Sequence, residues 1–405
     1  MKALLAAALA STLLAQSAPA PDSAPVPAPA EATKVERPQR LEREQKRLEA
    51  ELAAIDQFGR EAEFGKALDI VMEEFGPLDP GKKRWRRTER GWLPIMSVTH
   101  WLAWSRPGTE RRKQPLCLDF DFRDHPQPVI ADLAAQFAAH GIELLVVVFP
   151  SRLELYPELV LPAWSDALAK PPSDPAPSAP VPSGPKFHGM VGPTTRFLLE
   201  LVKGGVEVVD LAPEFVAQRF AELPAAAEGA NRELYLWRNQ HWTPRAAELA
   251  AKLVAERLRE LPCFVPGPFQ EGRDFEIGEK TIDFDVGNGG AAPDTNPEKI
   301  WFHQVRMKGR TVTPDLRAAC PIVVIGDSFI EEYLQQRASF EEQLLRFTGW
   351  GVDVVAPKGG AELACRESLA RRNNDLHGKK IVVWLLQEQN LQPLPAYRKV
   401  AMFDR

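Results

Sequence analysis

The chain has 405 residues, 44% hydrophobic and 26% charged, with a formal net charge of -5. That length fits two or three average domains or one large α/β domain with extensions, and the composition supports an ordinary core. The balanced charge, with no Lys/Arg run interleaved with aromatics, gives no basis for a nucleic-acid partner, and the short cluster Lys82-Lys83-Arg84-Trp85-Arg86-Arg87 reads as a solvated face.

At the N-terminus, Met1-Lys2 precedes the apolar run Ala3 to Ala15 and the small-residue segment Ala18-Pro19-Ala20. One positive charge, a short apolar stretch and small residues describe a secretory signal peptide over residues 1–20, too short for a permanent bilayer-spanning helix. The expected location is therefore periplasmic or extracytoplasmic; an uncleaved leader would instead serve as an anchor. Residues 21–58 form a Pro/Ala-rich spacer followed by a charged helix from Glu36 to Phe58. Its apolar stripe, Leu41, Leu48, Leu52 and Ile55, suits either a short coiled coil or a helix packed back on the domain. Residues 59–114 are rich in Trp and Arg and carry no recognisable chemistry.

An α/β pattern follows, and 59–405 reads as one domain. A helix, Pro128 to His140, leads into the apolar strand Ile142 to Phe149, and Pro150-Ser151-Arg152 ends it where ligand-binding loops occur in parallel sheets. A Pro/Ser/Ala-rich internal loop near 168–186 cannot bury a core and is expected to be disordered. Helix Thr194–Val202, strand Val206–Asp210 and the segment Leu234–Trp237 come next. Arg238-Asn239-Gln240-His241-Trp242-Thr243 then precedes a helix from Pro244 to Leu261, with Thr243 as its N-cap. Residues 264–312 are poorly periodic. Strand Pro321–Ile325 runs into Gly326-Asp327-Ser328-Phe329 and a helix from Ile330 to Phe347, followed by strand Val352–Val355, the turn Lys358-Gly359-Gly360, and strand Lys380–Leu385.

The serine at that strand-to-helix turn is a candidate nucleophile, because its own N–H lies near the positive end of a helix, where an oxyanion could be held. It needs a base. Of seven histidines, His100, His125, His140, His188, His303 and His377 stand in no catalytic pattern. His241 has Asn239 two residues earlier, positioned to accept the Nδ1 proton and leave Nε2 free for a serine hydroxyl. The four cysteines, Cys117, Cys263, Cys320 and Cys365, form no C-x-x-C pair, so no metal site is expected. Cys320 and Cys365 are open to either a disulfide or two buried thiols. No nucleotide, flavin or other cofactor motif is present in the sequence.

Asn239-Gln240-His241-Trp242-Thr243-Pro244 resembles the Asp-x-His-Trp-Thr segment of the SGNH-hydrolase-like domain of alginate O-acetylation proteins. Gly326-Asp327-Ser328-Phe329 resembles that family's nucleophile block, and Leu144 to Glu158 its strand and Pro-x-Lys-x-x-x-Tyr-Pro segment. The likeness covers about residues 115–390 and includes the family's permuted order, with His before Ser. It implies an α/β fold with a mostly parallel sheet flanked by helices, preceded here by the N-terminal helix. It also implies an exported O-acetyltransferase acting on polysaccharide hydroxyls, with a membrane-bound O-acyltransferase as the acetyl donor. Ser328 would carry the acetyl group, His241 would be the base, and Asn239 would orient it. Asp327, Lys358, Gly359, Gly360, Arg152 and Trp242 would supply oxyanion and substrate contacts. Two residues depart from the pattern: Asn239 replaces the orienting Asp, and Arg152 stands where Lys is usual. Asp210, at another strand end, is a candidate to compensate for Asn239. A carbohydrate acetylesterase and a non-catalytic glycan-binding or scaffold protein are the alternatives.

Overall fold

The computed structural model describes residues 35–57, 85–88, 91–94, 126–150, 152–156, 192–219, 221–237, 239–285, 297–309, 311–372, 376–391 and 397–403. The leader and spacer, the loop near 168–186 and Cys117 lie outside these residues.

Five strands form a fully parallel sheet in the order β4-β3-β9-β7-β8. They are β3 (Glu143–Phe149), β4 (Glu207–Asp210), β7 (Ile322–Ile325), β8 (Asp353–Val355) and β9 (Ile381–Gln387). β9 and β7 are buried at every position, as expected of central strands covered by helices on both faces. Two ribbons lie apart from it: the short β1 (Trp85–Thr88) with β2 (Gly91–Pro94), and the long β5 (Phe275–Phe284) with β6 (Glu298–Met307). The second ribbon occupies the stretch with no readable periodicity, since β5 is mostly part-exposed while β6 buries Ile300, Trp301 and Phe302 in succession, so burial does not alternate strictly along either strand.

The helices are α1 (Arg37–Gln57), α2 (Pro126–Ala139), α3 (Arg152–Leu155), α4 (Gly192–Lys203), α5 (Ala212–Gln218), α6 (Pro244–Glu260), α7 (Pro314–Ala319), α8 (Ser328–Glu331), α9 (Phe340–Thr348) and α10 (Ala364–Arg371). No described helix is long and apolar enough to cross a membrane. α1 packs back on the domain, against α4 and the edge strand β4, with Leu48 fully buried. Arg40, 0% exposed, donates to Glu207 on β4 at 3.0 Å, and Arg257 of α6 donates to the other oxygen of Glu207 at 2.6 Å. Cys320 and Cys365 are both buried free thiols, and burial pushes them up to about 11 and about 12 respectively.

The single helix expected over 330–347 is broken into three pieces. α8 ends after one turn, Tyr333 and Arg337 take left-handed conformations on either side of a 3-10 turn (Leu334–Gln336), and α9 starts afresh. The restart has a sequence cause: Ser339 and Glu342 form a capping box, each side chain taking up the other's backbone N–H.

Candidate active site

The site lies off the carboxyl ends of the strands, where open parallel sheets bind ligands. β7 delivers Gly326, Asp327 and Ser328 there. A side chain at Gly326 would meet the Leu385 carbonyl of β9 at 2.9 Å and Ile330 at 2.8 Å, so the turn can approach β9 only with glycine. Asp327 caps α8, accepting the Phe329 N–H at 3.1 Å. Burial pushes the Asp327 carboxyl up to about 6, against the stabilising backbone hydrogen bond. Asp327 thus shapes the serine turn, a different place from the substrate contact expected of it.

His241 arrives from a tight antiparallel turn. Leu236 N–H donates to His241 O at 3.0 Å and Thr243 N–H to Leu234 O at 2.9 Å, closing a bridge between Tyr235 and Trp242. Thr243 begins α6, yet its hydroxyl donates to Glu233 O at 3.1 Å and makes no helix-capping bond. Arg152, 2% exposed, braces this turn from inside, donating to Glu233 at 3.0 Å and to the carbonyls of Leu236 and Trp237 at 3.2 Å each. Trp242, 0% exposed, packs on Phe149 at 4.7 Å, Phe329 at 5.4 Å and Phe340 at 6.1 Å between ring centres. Both residues were expected at the substrate. Their burial makes them supports that hold the histidine turn onto the end of β3 and the start of α8.

The result is a chain of short contacts. His241 Nε2 lies 2.9 Å from Ser328 Oγ, and Nδ1 lies 2.8 Å from Asn239 Oδ1. The His241 backbone N–H also donates to Asn239 Oδ1, at 3.1 Å. A backbone N–H can only donate, so the amide must present its oxygen, Nδ1 must carry the proton, and Nε2 is left bare to accept the Ser328 hydroxyl. The Phe329 ring sits 4.7 Å from the imidazole and closes one side. Asp210 does not compensate for Asn239: its carboxylate pairs with Arg47 at 3.2 Å and accepts the Ala212 N–H at 3.0 Å.

The turn after β8 reaches the site by charge more than by its backbone. The Gly360 N–H is engaged with Pro357 O at 3.0 Å, which removes it as an oxyanion donor, while Gly359 has φ 63° at the exposed tip. The Lys358 ammonium opposes the burial that otherwise raises the Glu332 carboxyl above its ordinary range. Glu332 is an acidic group that the sequence reading passed over; its one signal was a spacing of four from Ser328. Beside the histidine turn an open cleft of about 810 Å³ is lined by Arg232, Trp237, Leu223 and Gly229 among others. Among the described residues no group of three or more His, Cys, Asp or Glu is placed to hold a metal ion.

Residues 121–388 match the SGNH hydrolase-like domain of acetyltransferase AlgX, a segment that contains both the histidine turn and the serine turn. The chain is 26% identical over 255 residues to the alginate biosynthesis protein AlgX of Pseudomonas putida, covering 61% of this chain and 48% of that protein. It is 29% identical over 161 residues to AlgX of Pseudomonas fluorescens, covering 40% of this chain and 28% of that protein. It thus spans about half the length, or less, of the curated relatives it matches. Among solved structures, the O-acetyltransferase domain of Pseudomonas putida AlgJ aligns with a TM-score of 0.49 and 15% identity, over 76% of this chain and 92% of that one. With two thirds of its length matched, this chain belongs to the family of SGNH hydrolase-like acetyltransferase domains typified by AlgX.

Proposed function

We propose that the protein is an exported O-acetyltransferase that moves acetyl groups through a Ser328 acyl-enzyme onto hydroxyls of an alginate-like polysaccharide. Residues 1–20 act as the leader, 21–58 as spacer and helix, and 59–405 as the catalytic domain. The observation that carries the reading is the hydrogen-bonded series Ser328–His241–Asn239, with 2.9 Å and 2.8 Å between its members. The family membership supports acetyl transfer, and the open cleft with Trp237 and Arg232 beside the histidine turn suits a polymeric acceptor.

In the first half-reaction, His241 Nε2 takes the Ser328 proton as Oγ attacks the acetyl carbonyl of the donor. The tetrahedral intermediate collapses, the donor's leaving oxygen takes that proton from His241, and acetyl-Ser328 remains. In the second, His241 takes the proton of a sugar hydroxyl as its oxygen attacks acetyl-Ser328, and the departing Oγ recovers the proton. Asn239 holds the ring in the same tautomer throughout. A membrane-bound O-acyltransferase serves as the acetyl donor.

The esterase reading shares the same acyl-enzyme, resolved by water. It is separated by measuring hydrolysis and transfer from a chromogenic acetyl ester with and without an oligosaccharide acceptor: transfer overtakes hydrolysis as acceptor saturates. Transfer that never exceeds hydrolysis would sink the transferase. The neutral Asn239 favours a second reading, a non-catalytic glycan-binding or scaffold protein. Ser328→Ala decides it, lowering turnover at least about 10³-fold if Ser328 is the nucleophile. Unchanged polymer acetylation in cells carrying that variant at normal protein level would establish the scaffold.

A further inference from the structure

Ser328 and Glu332 stand four residues apart across the single turn of α8, so both side chains emerge on one side. Glu332 Oε2 lies 3.8 Å from His241 Nε2, with Glu332 26% and His241 13% exposed at the side chain. Nε2 is the nitrogen that gains and loses the proton. The opposite nitrogen faces Asn239, which orients the ring but carries no charge. A protonated imidazole beside a neutral amide and the buried Phe329 ring is stabilised by a counter-charge facing Nε2.

We propose that Glu332 supplies that counter-charge, acting as a positioning residue that stabilises protonated His241 in place of the carboxylate Asn239 lacks. The inference rests on the reading of Ser328 as nucleophile and His241 as base. At 3.8 Å the carboxylate is beyond hydrogen-bond reach and does not compete with Ser328 Oγ at 2.9 Å for the neutral ring. When Oγ–H passes its proton to Nε2, the new positive charge faces a carboxylate at ion-pair distance, and no other bond has to change. Other charged and titratable groups surround the pair. Lys358 on the turn after β8 acts on Glu332 through its charge, Asp327 caps the serine turn, and the Tyr333 phenol donates to Trp242 O at 2.6 Å on the buried side. Lys358 favours the ionised Glu332 that the role requires, working against burial.

The test is a cycle with Asn239→Asp, on the full chain and a chromogenic acetyl ester. Glu332→Gln keeps the shape and removes the charge. It should lower kcat/KM about tenfold with Asn at 239 and no more than about threefold with Asp there, because the ring then has a charge on its other side. Glu332→Asp should restore part of the loss. NMR titration of the His241 ring, its signal assigned by loss in His241→Asn, should show its pKa falling by about one in Glu332→Gln, since removing a nearby anion disfavours imidazolium. Equal losses in both backgrounds, or an unmoved His241 titration, would overturn the role. The titration does not depend on turnover. If Ser328→Ala retains activity, the nucleophile reading fails while the titration still decides Glu332.

Discussion

Replacing Asn239 by Asp isolates what a charge adds to a ring already held in the right tautomer. In a serine protease the reverse change costs about 10⁴ in turnover because the ring adopts the wrong tautomer. That penalty does not apply to this protein, since the His241 backbone N–H and Nδ1 both address Asn239 Oδ1, at 3.1 and 2.8 Å, and fix the amide oxygen toward the ring. Only the electrostatic part remains. Two unit charges about 4 Å apart interact by about 4 kcal/mol at an effective dielectric of 20, an upper bound for a site open to water. The amide dipole already supplies part of this, so a gain of about 1–2 kcal/mol in transition-state stabilisation is expected, roughly 5- to 30-fold. The assay is kcat/KM for acetyl-ester turnover at neutral pH, with Asn239→Ala as the control for lost orientation, which should fall well below the parent. A gain of about 10³ or more would mean that the imidazole of the parent is misoriented. No gain even in a Glu332→Gln background, where no carboxylate faces Nε2, would mean that imidazolium does not form in the limiting step, and the base assignment would fail with it.

Three other outcomes follow from the same geometry. Arg152→Met should destabilise the fold by about 3–5 kcal/mol in denaturant unfolding, because it removes one partner of the buried Arg152–Glu233 ion pair; adding Glu233→Gln should recover much of the loss, and additivity of the two would refute the pairing. Asp327→Asn should be more stable than the parent by up to about 3 kcal/mol above pH 6, with the difference vanishing near pH 4. The sign follows from the raised carboxyl. The folded state holds its proton between 3.8 and about 6, so the parent loses stability as pH rises through that window and not below it. Gly326→Ala should cost about 1–3 kcal/mol and lower turnover beyond that loss, since the added carbon meets the Leu385 carbonyl of a central strand at 2.9 Å and displaces the serine turn. An unchanged melting temperature would show that β9 yields there.

The parallel sheet was legible because β3, β7 and β9 are covered on both faces and therefore appear as unbroken apolar runs. The β5–β6 ribbon was not, because Lys280, Thr281 and their neighbours stay half in water and impose no strict alternation. The helix after Ser328 was overextended. Left-handed Tyr333 and Arg337 leave no mark in sequence, although the Ser339–Glu342 capping box does. At the site, Ser328, His241 and Asn239 announce themselves by local spacing. Arg152 and Trp242 sit in the same motifs, but nothing in a motif says whether a side chain faces substrate or faces inward. Glu332 was hidden for the opposite reason, as one glutamate among several in an assumed long helix.

The clamp of Glu207 between Arg40 and Arg257 has a consequence for motion. A charged amphipathic helix at the edge of a domain would ordinarily fray first. α1 instead contributes a fully buried arginine to an ion pair whose other arginine belongs to the helix that follows the histidine turn. Lifting α1 would bare Arg40 and leave Glu207 half-compensated inside the fold, a costly opening. Amide hydrogens around Arg40 and Leu48 should therefore exchange at rates close to those of β4, through global unfolding, so that α1 and the sheet open as one cooperative unit.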